Sequence, residues 1–133
     1  MPPPIDKIAL IYIKEGKILS TRSKDKSKYY IPGGKREPGE TDQEALVREI
    51  KEELSVDCIP ESITYIGQFS AQADSHPEGQ LVIMTCYQAD FTGNLSPDHE
   101  IAEIVWLGFD DIEKVSPVDK LIFQALKQAG KLR

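Results

Sequence analysis

The side chains best suited to chemistry are carboxylates concentrated in one short segment. Six acidic residues but only two basic residues lie between positions 40 and 53. At about 100° per residue in an α-helix, Glu49, Glu52 and Glu53 form one band beside an apolar stripe. Like charges at this spacing repel by roughly 0.2–0.5 kcal/mol per pair, which disfavours them where only a helix is needed. A divalent cation would relieve the repulsion, and carboxylate oxygens suit Mg²⁺ or Mn²⁺. An ordinary solvent-exposed acidic face is the alternative interpretation.

A basic loop precedes this segment. Between positions 22 and 36, six basic residues are opposed by Asp25 alone: Arg22, Lys24, Lys26, Lys28, Lys35 and Arg36. The loop leads into Gly33-Gly34, where missing side chains let a ligand approach the backbone. Taken alone, the loop could serve only solubility. Together with the carboxylates, it suits a metal-bound polyphosphate.

Hydrophobic periodicity and turn residues predict the elements that must position these groups. Strands are predicted over 5–13, 17–21, 29–31, 63–73, 80–91 and 104–107. A helix is predicted from a capping box, formed by Thr41 and Glu44, to about Ser55. A second helix is predicted over 119–131. Strands before, between and after two helices predict a single mixed α/β domain over 1–133.

Composition limits the classes of function. The formal net charge of −6 argues against sequence-independent binding to nucleic-acid polymers, which requires a basic face. No run approaches the roughly 18 apolar residues of a membrane span. The first residues lack the pattern of a secretory signal, so a cytoplasmic location without a membrane partner is expected. Cys58 and Cys86 lie in apolar contexts without metal-ligand spacing, which predicts buried thiols.

The segment 34–56 resembles the signature of the Nudix hydrolases. Its invariant positions are matched in register by Gly34, Glu40, Arg48, Glu49, Glu52 and Glu53. Ser55 stands where the family usually has glycine, which should cost roughly 1 kcal/mol or shift the end of the helix. The resemblance implies an α/β/α sandwich with a mixed central sheet. It also implies a hydrolase that cleaves a diphosphate linkage in a nucleoside diphosphate-X compound.

The resemblance implies roles for individual residues. The metal ligands would be the Gly34 carbonyl and four carboxylates, those of Glu49, Glu52, Glu53 and Glu100, with Glu103 as the alternative to Glu100. Arg48 and Glu40 would pair and orient the helix. A metal-activated water would attack one phosphorus atom of the diphosphate, and either Glu53 or Glu100 could accept its proton.

The substrate is less constrained than the reaction. Subfamily markers for ADP-ribose, diadenosine polyphosphates, NADH and coenzyme A are absent, which favours a nucleoside triphosphate, oxidised forms included, and the mutator-type branch. Arg22 and Lys35 are candidate substrate-binding residues. Mutator-type members read the base from the start of the last helix, where Asp119 lies here; an ordinary helix N-terminal acid is the alternative.

Two other functions remain open at this point. One is a pyrophosphatase for ADP-ribose, another dinucleotide or a nucleotide sugar, and the other is a non-catalytic domain that binds a nucleotide. In each case the partner is a small nucleotide. Because family members are often dimers, the resemblance also leaves a homodimer open.

Overall fold

Strands and helices alternate along the chain as a mixed α/β arrangement. Within residues 3–133, which the computed structural model describes, the strands are β1 (Ile5–Ile11), β2 (Ile13–Lys14), β3 (Lys17–Ser23), β4 (Gly33–Lys35), β5 (Asp57–Cys58), β6 (Thr64–Gln72), β7 (Leu81–Gln88), β8 (Phe91–Thr92) and β9 (Ile101–Leu107). The helices are α1 (Asp42–Leu54) and α2 (Pro117–Gln128), and short 3-10 helices lie at Pro60–Ser62 and Phe109–Lys114.

The main sheet has the strand order β4-β1-β7-β6. β1 runs parallel to β7, whereas β1–β4 and β6–β7 are antiparallel. A second sheet has the order β2-β3-β9, and β5 pairs with β8. The predicted mixed sheet is confirmed, and its parallel pair joins the beginning of the chain to its second half.

The two helices cover opposite faces of the main sheet, since successive side chains of a strand point to opposite faces. The core on the α1 side includes Ile8, Leu10, Leu46, Ile50 and Leu54, all fully buried. The core on the α2 side includes Ala9, Ile11, Ile122, Phe123 and Leu126. This layering is the predicted α/β/α sandwich.

Helix α1 has both of its predicted ends. At the N-terminus, the Thr41 hydroxyl accepts from the Glu44 N–H, and the Glu44 carboxylate accepts from the Thr41 N–H. At the C-terminus, Ser55 adopts the left-handed conformation with φ of 64°. Its hydroxyl donates to the Ser96 carbonyl at 3.1 Å, which partly offsets the strain of a left-handed non-glycine residue, roughly 1 kcal/mol or more. Serine thus takes the place of glycine without shifting the end of the helix.

Several predicted boundaries were wrong: α2 ends at Gln128 and not at 131, and the strand predicted over 80–91 is β7 followed by the short β8. Two further differences bear on the site. The segment 29–31 forms only isolated bridges, from Tyr30 to Thr21 and from Tyr29 to Val115. The paired strand is instead β4, in which Gly33 lies opposite Ala9. A Cβ on Gly33 would lie 2.0 Å from the Ile8 carbonyl oxygen, so glycine is required for this close pairing. Helix α2 begins two residues earlier than predicted, because Pro117 suits the first helical turn.

Cys58 and Cys86 are buried free thiols, as predicted. Across residues 3–133, neither helix has the length and apolar character needed to cross a bilayer.

Candidate active site

Glu53 is a buried carboxylate on α1 that faces the edge strand β4. The residue is 7% exposed, and its Oε1 accepts a hydrogen bond from the Gly33 N–H at 3.0 Å. Burial raises the pKa of Glu53 to about 8, although the Gly33 N–H acts in the opposite direction. A carboxyl with a pKa close to neutral pH can both accept and release a proton during a reaction.

Arg48 holds four carboxylates around its guanidinium, one of them that of Glu37, 3.4 Å from Nε. Nε and Nη2 donate to the two oxygens of Glu40 at 2.7 and 2.8 Å, so the pairing implied by the family resemblance is present. Nη1 donates to Glu49 at 2.9 Å and approaches Glu52 at 3.4 Å. Hydrogen bonding to Arg48 lowers the pKa of Glu40 to about 2. Arg48 therefore fixes the direction in which the acidic face of α1 presents its oxygens.

Glu49 and Gly34 are packed against each other. A Cβ on residue 34 would lie 2.5 Å from the Glu49 carboxyl carbon, so a side chain there would displace this carboxylate from its place beside β4. Burial raises the pKa of Glu49, with Arg48 opposing the shift. Gly34 thus allows the observed position of a carboxylate and does not serve a turn.

A cavity of about 450 Å³ extends from these carboxylates past the edge of the main sheet. Its acidic end is lined by Gly33, Gly34, Glu49, Glu53 and Glu100. The rest of the lining is mixed: its apolar residues, here called the apolar end, are Ile5, Ile31, Val82, Met84 and Val118, and its polar residues include Tyr30, Asp74 and His76. The volume lies in the range of about 300–1,000 Å³ that is typical of small-molecule sites.

The loop that carries Glu100 is fastened to the end of α1. The Asp98 N–H donates to the Glu53 carbonyl at 3.1 Å, and the His99 ring nitrogen Nδ1 lies 2.9 Å from the Glu52 carbonyl. His99 also adopts a left-handed conformation with φ of 52°. The His99 ring is exposed, and its contact with α1 holds Glu100 at the acidic end. Spacing alone gave no signal for this role.

The structure brings together some of the predicted site residues but not all of them. Gly34, Lys35, Glu49, Glu53 and Glu100 line the cavity. The Glu52 side chain is 41% exposed, outside the cavity, and turns toward Arg48. Within residues 3–133, no three acidic or imidazole groups already surround one point as a preformed metal centre. The partners of the carboxylates in this conformation are Arg48 and the Gly33 N–H.

Arg22 does not reach the cavity. Its Nε donates to Glu103 at 2.9 Å, and the Tyr29 hydroxyl donates to the same carboxylate oxygen at 2.7 Å. Its neighbours Thr21 and Ser23 do line the cavity, since alternate residues of β3 face opposite sides. Glu103, the alternative ligand, is therefore occupied by Arg22 and Tyr29.

Asp119 lies behind the cavity wall. The residue is fully buried, and Ser116, Pro117 and Val118 separate it from the open space. One carboxylate oxygen accepts from the Ile31 N–H at 2.9 Å, whereas Oδ1 makes no well-formed hydrogen bond within residues 3–133. Burial raises the pKa of Asp119 to about 7, although the nearby Ser116 hydroxyl acts in the opposite direction. The side chain is thus no ordinary exposed acid of a helix N-terminus, and it is not on the cavity surface.

A set of long-range contacts at the cavity, centred on Asp74, had no signal in the sequence. Asp74, in the β6–β7 hairpin, accepts from Lys28 at 2.9 Å and from the Tyr30 hydroxyl. This contact joins the basic loop after β3 to the opposite hairpin. The partners are 44 and 46 residues apart in the chain, so local patterns could not reveal it.

Exchanging Arg48 for lysine should reduce kcat/KM by about 10- to 100-fold, since outer contacts of metal-binding carboxylates have effects of this size. Lysine cannot bind both oxygens of Glu40 and also donate to Glu49 from a planar fork. Steady-state kinetics would measure the loss. Arg36→Lys is the matched control, because Arg36 pairs with Asp6 and Asp42 on the same side of the molecule. Equal losses in the two variants would contradict a specific role for Arg48.

Comparison with known proteins agrees with this geometry. Residues 3–126 match the model of the NUDIX domain, so the chain belongs to the Nudix family and is a Nudix hydrolase. It is 31% identical over 107 residues to a CTP pyrophosphohydrolase of Escherichia coli, covering 77% of this chain and 74% of that protein. It is also 31% identical over 106 residues to an ADP-ribose pyrophosphatase of Methanocaldococcus jannaschii, covering 77% and 61%.

A solved structure supports the same assignment. The solution structure of the Escherichia coli ORF135 protein superimposes with a TM-score of 0.72 and 28% identity, covering 94% of this chain and 91% of that chain. The predicted fold class and the predicted enzyme family are therefore both confirmed. Family membership supports pyrophosphohydrolase activity on a nucleotide substrate, and it does not specify the nucleotide.

Proposed function

We propose that the enzyme is a Mg²⁺-dependent pyrophosphohydrolase that converts a nucleoside triphosphate, oxidised forms included, into a monophosphate and pyrophosphate. The observation that carries this proposal is one cavity with two unlike ends. The carboxylates of Glu49, Glu53 and Glu100 suit a metal-bound diphosphate. The apolar end beyond them suits the flat face of a base.

The donor groups present fit a hard divalent cation. Burial raises the pKa values of Glu49 and Glu53, and neither Arg48 beside Glu49 nor Lys7 near Glu53 offsets that effect, so both carboxylates would gain from a bound cation. Glu52, Glu100 and the Gly34 carbonyl could complete the set with further oxygens, and Mn²⁺ would accept the same donors. When bound, the cation supplies positive charge that acidifies a water and offsets charge on the leaving phosphate.

Glu53 is the better-supported proton acceptor of the two candidates. It is buried and held by the Gly33 N–H, whereas Glu100 is exposed on a loop. We expect Glu53 to take a proton from the attacking water and Arg48 to keep Glu49 and Glu52 in place. Lys35, at the exposed margin of the cavity, would contact the outer phosphates.

Two observations support the substrate class. The Escherichia coli relative is named a CTP pyrophosphohydrolase and aligns over most of both chains. Asp119 is a fully buried acid directly after the cavity-lining residues Ser116, Pro117 and Val118, which would support recognition of a base through those residues. The Methanocaldococcus jannaschii relative makes ADP-ribose the second candidate.

The remaining expectations stay predictions of this proposal. A cavity of about 450 Å³ suits a small nucleotide better than a nucleic-acid polymer, in agreement with the net charge of −6. We place the protein in the cytoplasm, where nucleotides are available. A homodimer also remains a prediction.

A substrate panel under metal control would test the proposal. CTP, dCTP and 8-oxo-dGTP should release pyrophosphate with Mg²⁺, and activity should disappear in excess EDTA and return when Mg²⁺ is restored. ADP-ribose, a dinucleoside polyphosphate and a nucleotide sugar should be poorer substrates. Full activity in EDTA would contradict the metal dependence. Turnover of ADP-ribose alone would overturn the substrate choice but not the reaction class.

A further inference from the structure

Lys7 is a partly buried basic residue on β1 that the sequence analysis did not single out. It lies opposite Lys35 of β4 on one side and opposite Met84 of β7 on the other. All three residues line the cavity. Lys35 follows the glycines of the acidic end, and Met84 belongs to the apolar end. Lys7 therefore lies where the two ends meet.

The electrostatic surroundings of Lys7 agree with this position. Burial raises the pKa values of Glu53, on the α1 side, and of Asp119, on the α2 side. The positive charge of Lys7 opposes part of both rises. Within residues 3–133, however, Lys7 forms no ion pair and its ammonium donates no hydrogen bond. Only solvent in the cavity is left to accept from this ammonium, so it is available to an oxygen of a bound ligand.

A second observation points to an anion at the same place. Lys7 and Lys35 occupy directly opposite positions on antiparallel strands. Like charges at such positions destabilise a sheet, by an amount comparable to that of other cross-strand pairs. An anion bound between the two ammonium groups would convert this repulsion into attraction. A neutral carbonyl oxygen would do so only weakly, so an anionic oxygen is the better match.

We propose that Lys7 is a substrate-binding residue whose ammonium binds a phosphate oxygen, on the side of the diphosphate facing away from the carboxylates of α1. This inference rests on the proposed function and deepens it. The carboxylate side would hold the diphosphate through metal ions. Lys7 would hold it directly from the sheet, beside Lys35 and on the nucleoside side of the phosphates that Lys35 contacts.

Binding of a non-hydrolysable nucleotide tests Lys7 independently of turnover. The probe is α,β-methylene-CTP with Mg²⁺, measured by calorimetry. Lys7→Met should weaken binding by about 10- to 100-fold, since one hydrogen bond to a charged group is lost. Lys7→Arg should stay within a few-fold of the wild type. Lys14→Met is the matched control, because Lys14 is an exposed strand lysine away from the cavity.

Steady-state kinetics then show whether Lys7 contacts a phosphate or the base. For the nucleotides that the wild type hydrolyses, Lys7→Met should raise KM by the same factor whatever the base. A loss confined to bases with a carbonyl oxygen, or unchanged binding in Lys7→Met with a normal melting temperature, would overturn the proposal.

Failure of the proposed function would appear separately. A wild type that binds the analogue but hydrolyses no nucleotide would refute that function, while the binding comparison would still decide the role of Lys7. A wild type that binds no nucleotide would overturn both.

Discussion

Glu53→Gln should reduce kcat by about 10²–10⁴-fold, the usual contribution of a positioned general base. Glutamine has the shape of glutamate, and its carbonyl can still accept from the Gly33 N–H. It cannot take up a proton or offer a charged oxygen to a cation. Because the buried charge is removed, the melting temperature in EDTA at pH above 8 should be unchanged or higher.

Glu44→Gln is the matched control for this experiment. Glu44 lies on the same helix and completes the capping box at Thr41, a role that glutamine also fills. Its kcat should match that of the wild type. Retention of activity by Glu53→Gln, combined with its loss in Glu100→Gln, would assign the proton transfer to Glu100 instead.

The local part of the site could be predicted from the sequence. Helical periodicity placed Glu53 beside the buried stripe of α1, and the residue is 7% exposed. The capping box fixed the start of the helix, and therefore the direction of its acidic face. These predictions succeeded because each depends on residues within one or two helical turns of each other.

The charged residues outside α1 were harder to predict. The basic loop suggested that Arg22 binds substrate, yet Arg22 pairs with Glu103, which is 81 residues away. Lys7 shows the reverse case, because its place in the cavity depends on the pairing of β1 with both β4 and β7. Charge counting identifies which residues are basic, whereas long-range strand pairing decides which of them meet a ligand.

Gly33 and Gly34 show why the edge of the sheet was assigned to the wrong segment. Tyr29-Tyr30-Ile31 has the higher β-propensity, so the strand was predicted there. The ladder forms at the glycines because the missing side chain of Gly33 lets the backbone of β1 approach closely, and Gly34 leaves the Glu49 carboxylate in its place beside the strand. Tertiary packing outweighed local preference, and it did so where the site requires space.

Asp119→Asn should change the pH dependence of folding more than any other single carboxylate exchange outside the acidic helix. In the folded protein the pKa of Asp119 is raised from 3.8 to about 7 by burial. Between those values the unfolded chain has released a proton that the folded chain retains. The stability contributed by this carboxyl is therefore fully present below about pH 4, and it falls as pH rises toward 7.

The measurable quantity is the free energy of unfolding of Asp119→Asn minus that of the wild type, from denaturant titrations in EDTA. At low pH the asparagine should be slightly destabilising, by roughly 1–3 kcal/mol, since its amide group meets the unpartnered position of Oδ1. The difference should then rise by on the order of 4 kcal/mol up to pH 7 and change little above it.

Glu53→Gln provides the comparison, because burial raises the pKa of Glu53 to about 8. The free energy of unfolding of Glu53→Gln minus that of the wild type should therefore keep rising between pH 7 and 8. The two pH ranges, ending near 7 and near 8, distinguish the titration of Asp119 from that of Glu53. A difference for Asp119→Asn that stays constant from pH 4 to 8 would mean that Asp119 is ionised in the fold. The carboxylate would then have a cationic partner, and Lys7, whose charge opposes the rise in the pKa of Asp119, would be the candidate.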